Sequence, residues 1–98
     1  MLQAIETDKY ITAIEKITKA QGKIVGEEIA TEMANTVEGI HIVNNKIEVH
    51  TLNPKETLEA LIKQYSNLFG LISVQVSKDA IKTVEASFTP DELPEILK

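Results

Sequence analysis

The side chains best suited to chemistry in this 98-residue sequence are His41, Glu48 and His50. They lie in Ile40–Leu52, two alternating apolar and polar runs on either side of Asn44-Asn45. An asparagine pair suits the positive φ angles of a two-residue hairpin turn, and period two then sets the register. Val43 stands opposite Lys46. Ile42 faces Ile47 and Ile40 faces Val49 on one side, while His41, Val43, Lys46, Glu48 and His50 share the other. His41 is then directly across from Glu48, with His50 one pleat away. Two imidazoles and a carboxylate form a suitable donor set for zinc or another divalent cation, since catalytic zinc is commonly held by three protein ligands with a fourth position open. A plainer account of the same residues is an exposed hairpin face on which a histidine and a glutamate pair across the strands.

Other chemistries find no support in residue type and spacing. The chain has no cysteine, so thiolate metal sites, cysteine nucleophiles and disulfides are all excluded. Ser66, Ser73, Ser77 and Ser87 lack the glycine context of a nucleophile elbow. Gly22, Gly26, Gly39 and Gly70 match neither the phosphate-loop nor the dinucleotide-binding spacing. Glu27-Glu28 and Asp91-Glu92 stand at helix starts, where dipole and capping effects account for them. Net charge is -5 and all ten cations are lysines spread along the chain, so phosphate tracking and bidentate base readout are both disfavoured. A winged-helix reading fails on the same ground, because the second helix carries Glu27, Glu28 and Glu32 and no lysine.

The elements that must position the hairpin are legible from hydrophobic period. A first helix is expected from about Thr7-Asp8, with Tyr10, Ile11, Ile14 and Ile17 on one stripe and a stop at Gly22. A second is expected from Glu27 to about Val37, with Ile29, Met33 and Val37 aligned between flanking Ala30 and Ala34. Asn53-Pro54-Lys55-Glu56 is a helix start, with Asn53 as cap and Pro54 at the first helical position. That helix carries Leu58, Leu61, Ile62, Tyr65, Leu68 and Phe69 and ends at Gly70. Beyond it the period returns to two. Ile72, Val74 and Val76 predict one strand, Ser77-Lys78-Asp79-Ala80 a connection, and Val84, Ala86 and Phe88 a second strand. Thr89-Pro90-Asp91-Glu92 opens a short helix limited by Pro94.

The expected fold class is therefore α+β, a single domain over residues 1–98. It has two N-terminal helices, a β-hairpin, a long helix, a second β-hairpin and a short C-terminal helix, with one antiparallel sheet packed against the helices. An apolar fraction of 43% and a charged fraction of 26% match ordinary globular usage. No stretch approaches the ~20 apolar residues of a membrane span. Met1–Glu6 has neither the basic cluster nor the apolar core of a secretory signal, which sets the expectation of a cytoplasmic protein.

The segment from Glu28 to Phe88 resembles the roadblock-type module of the profilin-like and longin-like group. The likeness lies in a helix running into Val37-Glu38-Gly39-Ile40-His41-Ile42-Val43, then a hairpin, a long helix and two further strands. It implies a non-catalytic scaffold that dimerises and serves small GTPases or motor and signalling assemblies, with no catalytic residue to carry over. The element order is also similar to that of small ligand-sensing domains. The function expected is a non-enzymatic protein interaction or scaffold module that self-associates. Its partner is a second copy or another protein, neither nucleic acid nor membrane, and no cofactor is called for. The alternative is a small-ligand or divalent-metal binding domain using His41, Glu48 and His50.

Overall fold

The computed structural model describes the backbone of residues 2–98 and the side chains from residue 8 onward. Its first element, α1 (Leu2–Val25), begins ahead of Thr7-Asp8 and runs through Gly22 instead of stopping there. Gly22 is buried within the helix, and a Cβ at that position would stand 3.3 Å from the Glu27 backbone. The missing side chain lets the next helix fold back tightly. The break comes at Gly26, whose φ of 101° is one that side-chain-bearing residues rarely adopt. From Asp8 on, the stripe on α1 is Tyr10, Ala13, Ile14, Ile17 and Gln21, all buried at spacings of three and four. In α2 (Glu27–Asn35) the buried positions are Ala30, Met33 and Ala34, continued by Val37. Ile29, expected on that stripe, is exposed, and Ala30 and Ala34 take the inner face instead.

β1 (Ile40–Val43) and β2 (Lys46–Val49) form the hairpin in the expected register, Ile40 with Val49, His41 with Glu48, Ile42 with Ile47 and Val43 with Lys46. Asn44 and Asn45 take φ of 52° and 65°, the pair of left-handed conformations a two-residue turn of this kind demands. The long helix α3 (Pro54–Phe69) starts at Pro54 as expected, although Asn53 accepts the Thr57 amide through its backbone carbonyl and makes no side-chain cap. Thr57, Leu58, Leu61, Ile62 and Tyr65 are buried. Tyr65 donates its hydroxyl to the Ala30 carbonyl at 2.7 Å, fixing α3 against α2. Burial pushes the phenol above its ordinary value of 10.0. The neighbouring Thr18 hydroxyl offsets part of that shift without meeting hydrogen-bond geometry.

The second hairpin does not form. Residues Leu71–Ala80 are helix α4, followed by turns, a 3₁₀ segment at Glu85–Ser87 and another at Glu95–Leu97 in place of the C-terminal helix. Among the described residues the sheet consists of β1 and β2 alone. The alternation of Ile72, Val74 and Val76 misleads because the buried face of α4 is carried by Ser73 and Ser77, one helical turn apart. Both serines meet Gln21 of α1. Its amide donates to the Ser73 carbonyl at 3.0 Å and to the Ser77 hydroxyl at 3.2 Å, so a polar pairing replaces the apolar stripe that marks a helix. Ile81, fully buried just past α4, completes that face.

The tail from residue 82 straps back along α1. Phe88 packs edge-on against Tyr10 with ring centroids 5.1 Å apart, and the Tyr10 hydroxyl donates to the Glu92 carbonyl at 2.7 Å. Lys9 reaches both the Glu92 carboxylate and the Ser87 carbonyl, and Glu92 also accepts the Thr89 amide at 2.8 Å. The Lys9 hydrogen bond, and then the Thr89 amide, hold the Glu92 carboxyl below its ordinary value of 4.5. Leu93 and Leu97 enter the core beside it.

Two outcomes test this architecture. A turn between strands tolerates proline, whereas the interior of α4 does not, so Lys78→Pro is expected to cost roughly 3 kcal/mol in urea unfolding. A carboxyl held low in the folded state adds stability that is fully present above its ordinary pKa and lost as pH falls through the folded value. Glu92→Gln should therefore be less stable than wild type near neutral pH, with the gap closing in acid, when unfolding is followed from about pH 7 to about pH 3.

Candidate interaction surface

The outward face of the hairpin holds His41, Val43, Lys46, Glu48 and His50, all exposed. Glu48 turns along its own strand toward His50, with Oε1 3.3 Å from Nε2, instead of across to His41. The His41 and His50 rings stand 5.8 Å apart between centroids, tilted by 54°. The three predicted residues are therefore neighbours. Among the described residues, however, no group of three or more histidines and carboxylates is placed to hold a metal ion. Side chains on one pleated face rise side by side, and the polar contact among the three is that of Glu48 with His50. Exposed and solvated, such a pair contributes little stability.

The two edges of this hairpin are treated differently. In an antiparallel pair, alternate residues turn their backbone groups away from the partner strand. His50 donates to the Gly39 carbonyl at 2.7 Å, which sets the phase: Ile40 and Ile42 face outward on β1, and Ile47 and Val49 on β2. The β1 edge is largely closed. Ile40 donates to the Val37 carbonyl at 3.1 Å, and the Asn35 side chain takes both groups of Ile42, accepting its N–H at 2.6 Å and donating to its C=O at 3.2 Å. One amide at the end of α2 imitates a third strand. On β2 the outward N–H and C=O groups of Ile47 and Val49 have no hydrogen-bond partner among the described residues. Edges of this kind are templates for further pairing.

A second surface surrounds the two helix turns. Ile24 and Ile29 flank Gly26, while Leu68, Leu71 and Ile72 flank Gly70, and all five are exposed, Leu71 to 85%. The Gln21 contacts to Ser73 and Ser77 bring both turns to the same end of the molecule. The sequence pattern places Leu68 and Ile72 on apolar faces, yet α3 turns Leu68 outward beyond Tyr65, and the helical course of α4 gives its inner face to Ser73 and Ser77. A Cβ at Gly26 or at Gly70 would meet nothing within 4 Å, so their positive φ, and not crowding, is what demands glycine. Together these five side chains expose on the order of 500 Å² of apolar surface, at the upper end for a monomer's largest patch.

Elsewhere the features offer less. A cavity of about 250 Å³ opens between α1, α2 and the hairpin, with Glu15, Lys19 and Glu27 at its walls and Ile42 and Ile47 above. The serines are occupied structurally, Ser66 donating to the Lys63 carbonyl and Ser77 accepting from Gln21. None of the four is hydrogen-bonded to a histidine or a carboxylate among the described residues. No protein-family model, curated protein or solved structure matches this chain.

Sequence reasoning finds the hairpin face but misses Asn35 and the helix-turn patch. Asn35 carries no motif. The patch has one signal, the unbroken apolar run Leu68-Phe69-Gly70-Leu71-Ile72, too dense to be buried on a single helical face. Because Asn35 satisfies both outward groups of Ile42, Asn35→Ala is expected to cost about 1–3 kcal/mol. Amide exchange should accelerate most at Ile42, and chemical denaturation with residue-resolved exchange measures both effects.

Proposed function

We propose that the chain is a non-enzymatic protein interaction module that self-associates. The observation that carries this reading is the apolar patch of Ile24, Ile29, Leu68, Leu71 and Ile72 around the paired helix turns. A cluster of exposed branched apolar side chains of this extent is often a functional contact surface. Association by that end buries the side chains without refolding, since both turns are already built. The order of helix, hairpin and long helix over residues 28–69 follows the first part of the roadblock-type resemblance, while α4 and turns stand in place of its two further strands; the scaffold role that the resemblance implies accords with this reading.

A second reading, divalent-metal binding on the hairpin, is favoured by the contact of Glu48 with His50 and the closeness of His41. It predicts a zinc-dependent rise in melting temperature that His41→Ala abolishes.

Light scattering across protein concentration, with and without zinc, tests both. The module reading expects a dimer or larger species at micromolar concentration, indifferent to zinc. Leu71→Lys with Ile72→Lys should weaken association at least about tenfold, because each side chain forfeits its burial. Unfolding stability should stay close to wild type, both positions being exposed in the single chain. A strict monomer at every concentration overturns self-association.

A further inference from the structure

The unpaired edge of β2 has a charge pattern that selects its own occupant. Ile47 sits at the centre of the edge, with Lys46 before it and Glu48 after it, both exposed on the outer face of the hairpin. Reversing the strand direction exchanges these two positions, so the sequence Lys-Ile-Glu is complementary to itself when read antiparallel about Ile47. We propose that two copies of the chain pair along β2 about a two-fold axis through Ile47, joining the two hairpins into one four-stranded antiparallel sheet. This rests on the self-association reading above and assigns it a second surface, a partner and a register.

In this arrangement Ile47 exchanges both backbone hydrogen bonds with the partner's Ile47. Val49 then stands beyond the paired stretch, opposite the partner's turn at Asn45. Lys46 then stands directly across from the partner's Glu48, and the symmetry makes this pair twice. The competing register, centred on Glu48, sets that carboxylate against its own copy across a closely spaced pair, where like charges are unfavourable. Ile47, half-buried on the inner face, gains cover from the partner's Ile47 and, on the diagonal, from the partner's Val49. The β1 edge is poorly suited, because Asn35 and Val37 already take three of its four outward groups. Growth therefore stops at four strands.

Sedimentation equilibrium of wild type, Lys46→Glu, Glu48→Lys, the double variant carrying both changes, and an equimolar mixture of the two single variants tests the register. Both positions are exposed, and circular dichroism melts verify that every variant remains folded. Each single variant creates two like-charge pairs and is expected to weaken the dimer about tenfold or more. The double variant restores opposite charges, as does the mixture, and both should return to near wild-type affinity. A wild-type dimer whose affinity the single variants leave unchanged, or a double variant no tighter than the singles, overturns this register while self-association stands. A wild type monomeric throughout overturns both.

Discussion

The buried stripe of α1 is the constraint around which the rest of the chain is arranged. Tyr10, Ala13, Ile14, Ile17 and Gln21 present one continuous face, and α2, α3, α4 and the tail each cover part of it. No single neighbour is large enough to do so alone. The chain divides the task by chemistry: alanines of α2, the branched side chains of α3 at the centre, serines of α4 opposite Gln21, and Phe88 over Tyr10. The hairpin lies against this helical body through Ile40 and Ile42, which frees its opposite face and the outer edge of β2 for solvent or a partner.

How far the fold is legible in the sequence depends on whether local chemistry and burial agree. They agree at Asn44-Asn45, where the turn demands left-handed residues and apolar alternation fixes the register, and every strand pair matches the expectation. At Asn53-Pro54 the helix starts where expected although the side-chain cap does not form, because proline alone restricts where the helix can start. They disagree over residues 71–88. A period-two pattern of Ile72, Val74 and Val76 is stronger than the helical pattern, whose inner positions are two serines that no hydrophobicity argument ranks as core. Only the presence of Gln21 across the interface makes serine the suitable residue there, and that is a tertiary fact.

The candidate surfaces divide along the same line. The outer hairpin face follows from period two alone, so His41, Glu48 and His50 are placed together by sequence, while the direction Glu48 takes, along its strand instead of across it, depends on rotamer choice. The edges are not legible at all. Whether a strand edge is satisfied depends on what stands beside it, and Asn35, seven residues away from Ile42, reveals its role only once α2 is packed. A short polar side chain at a helix end thus decides that one flank of a two-stranded sheet is finished and the other is not.

The strap formed by the tail has a consequence for how the chain is made. Lys9 and Tyr10 are held by Glu92, and Tyr10 by Phe88, contacts that span some eighty positions of sequence. During synthesis at about 5–20 residues per second, the first turns of α1 emerge several seconds before the residues that cover them. Through that interval the nascent chain shows an uncovered tyrosine and isoleucine stripe to the cell. The hairpin and α3 follow α1 closely in sequence and can assemble on its far half early. The near half must wait for Phe88 and Glu92, so this helix is closed by residues made some eighty positions later.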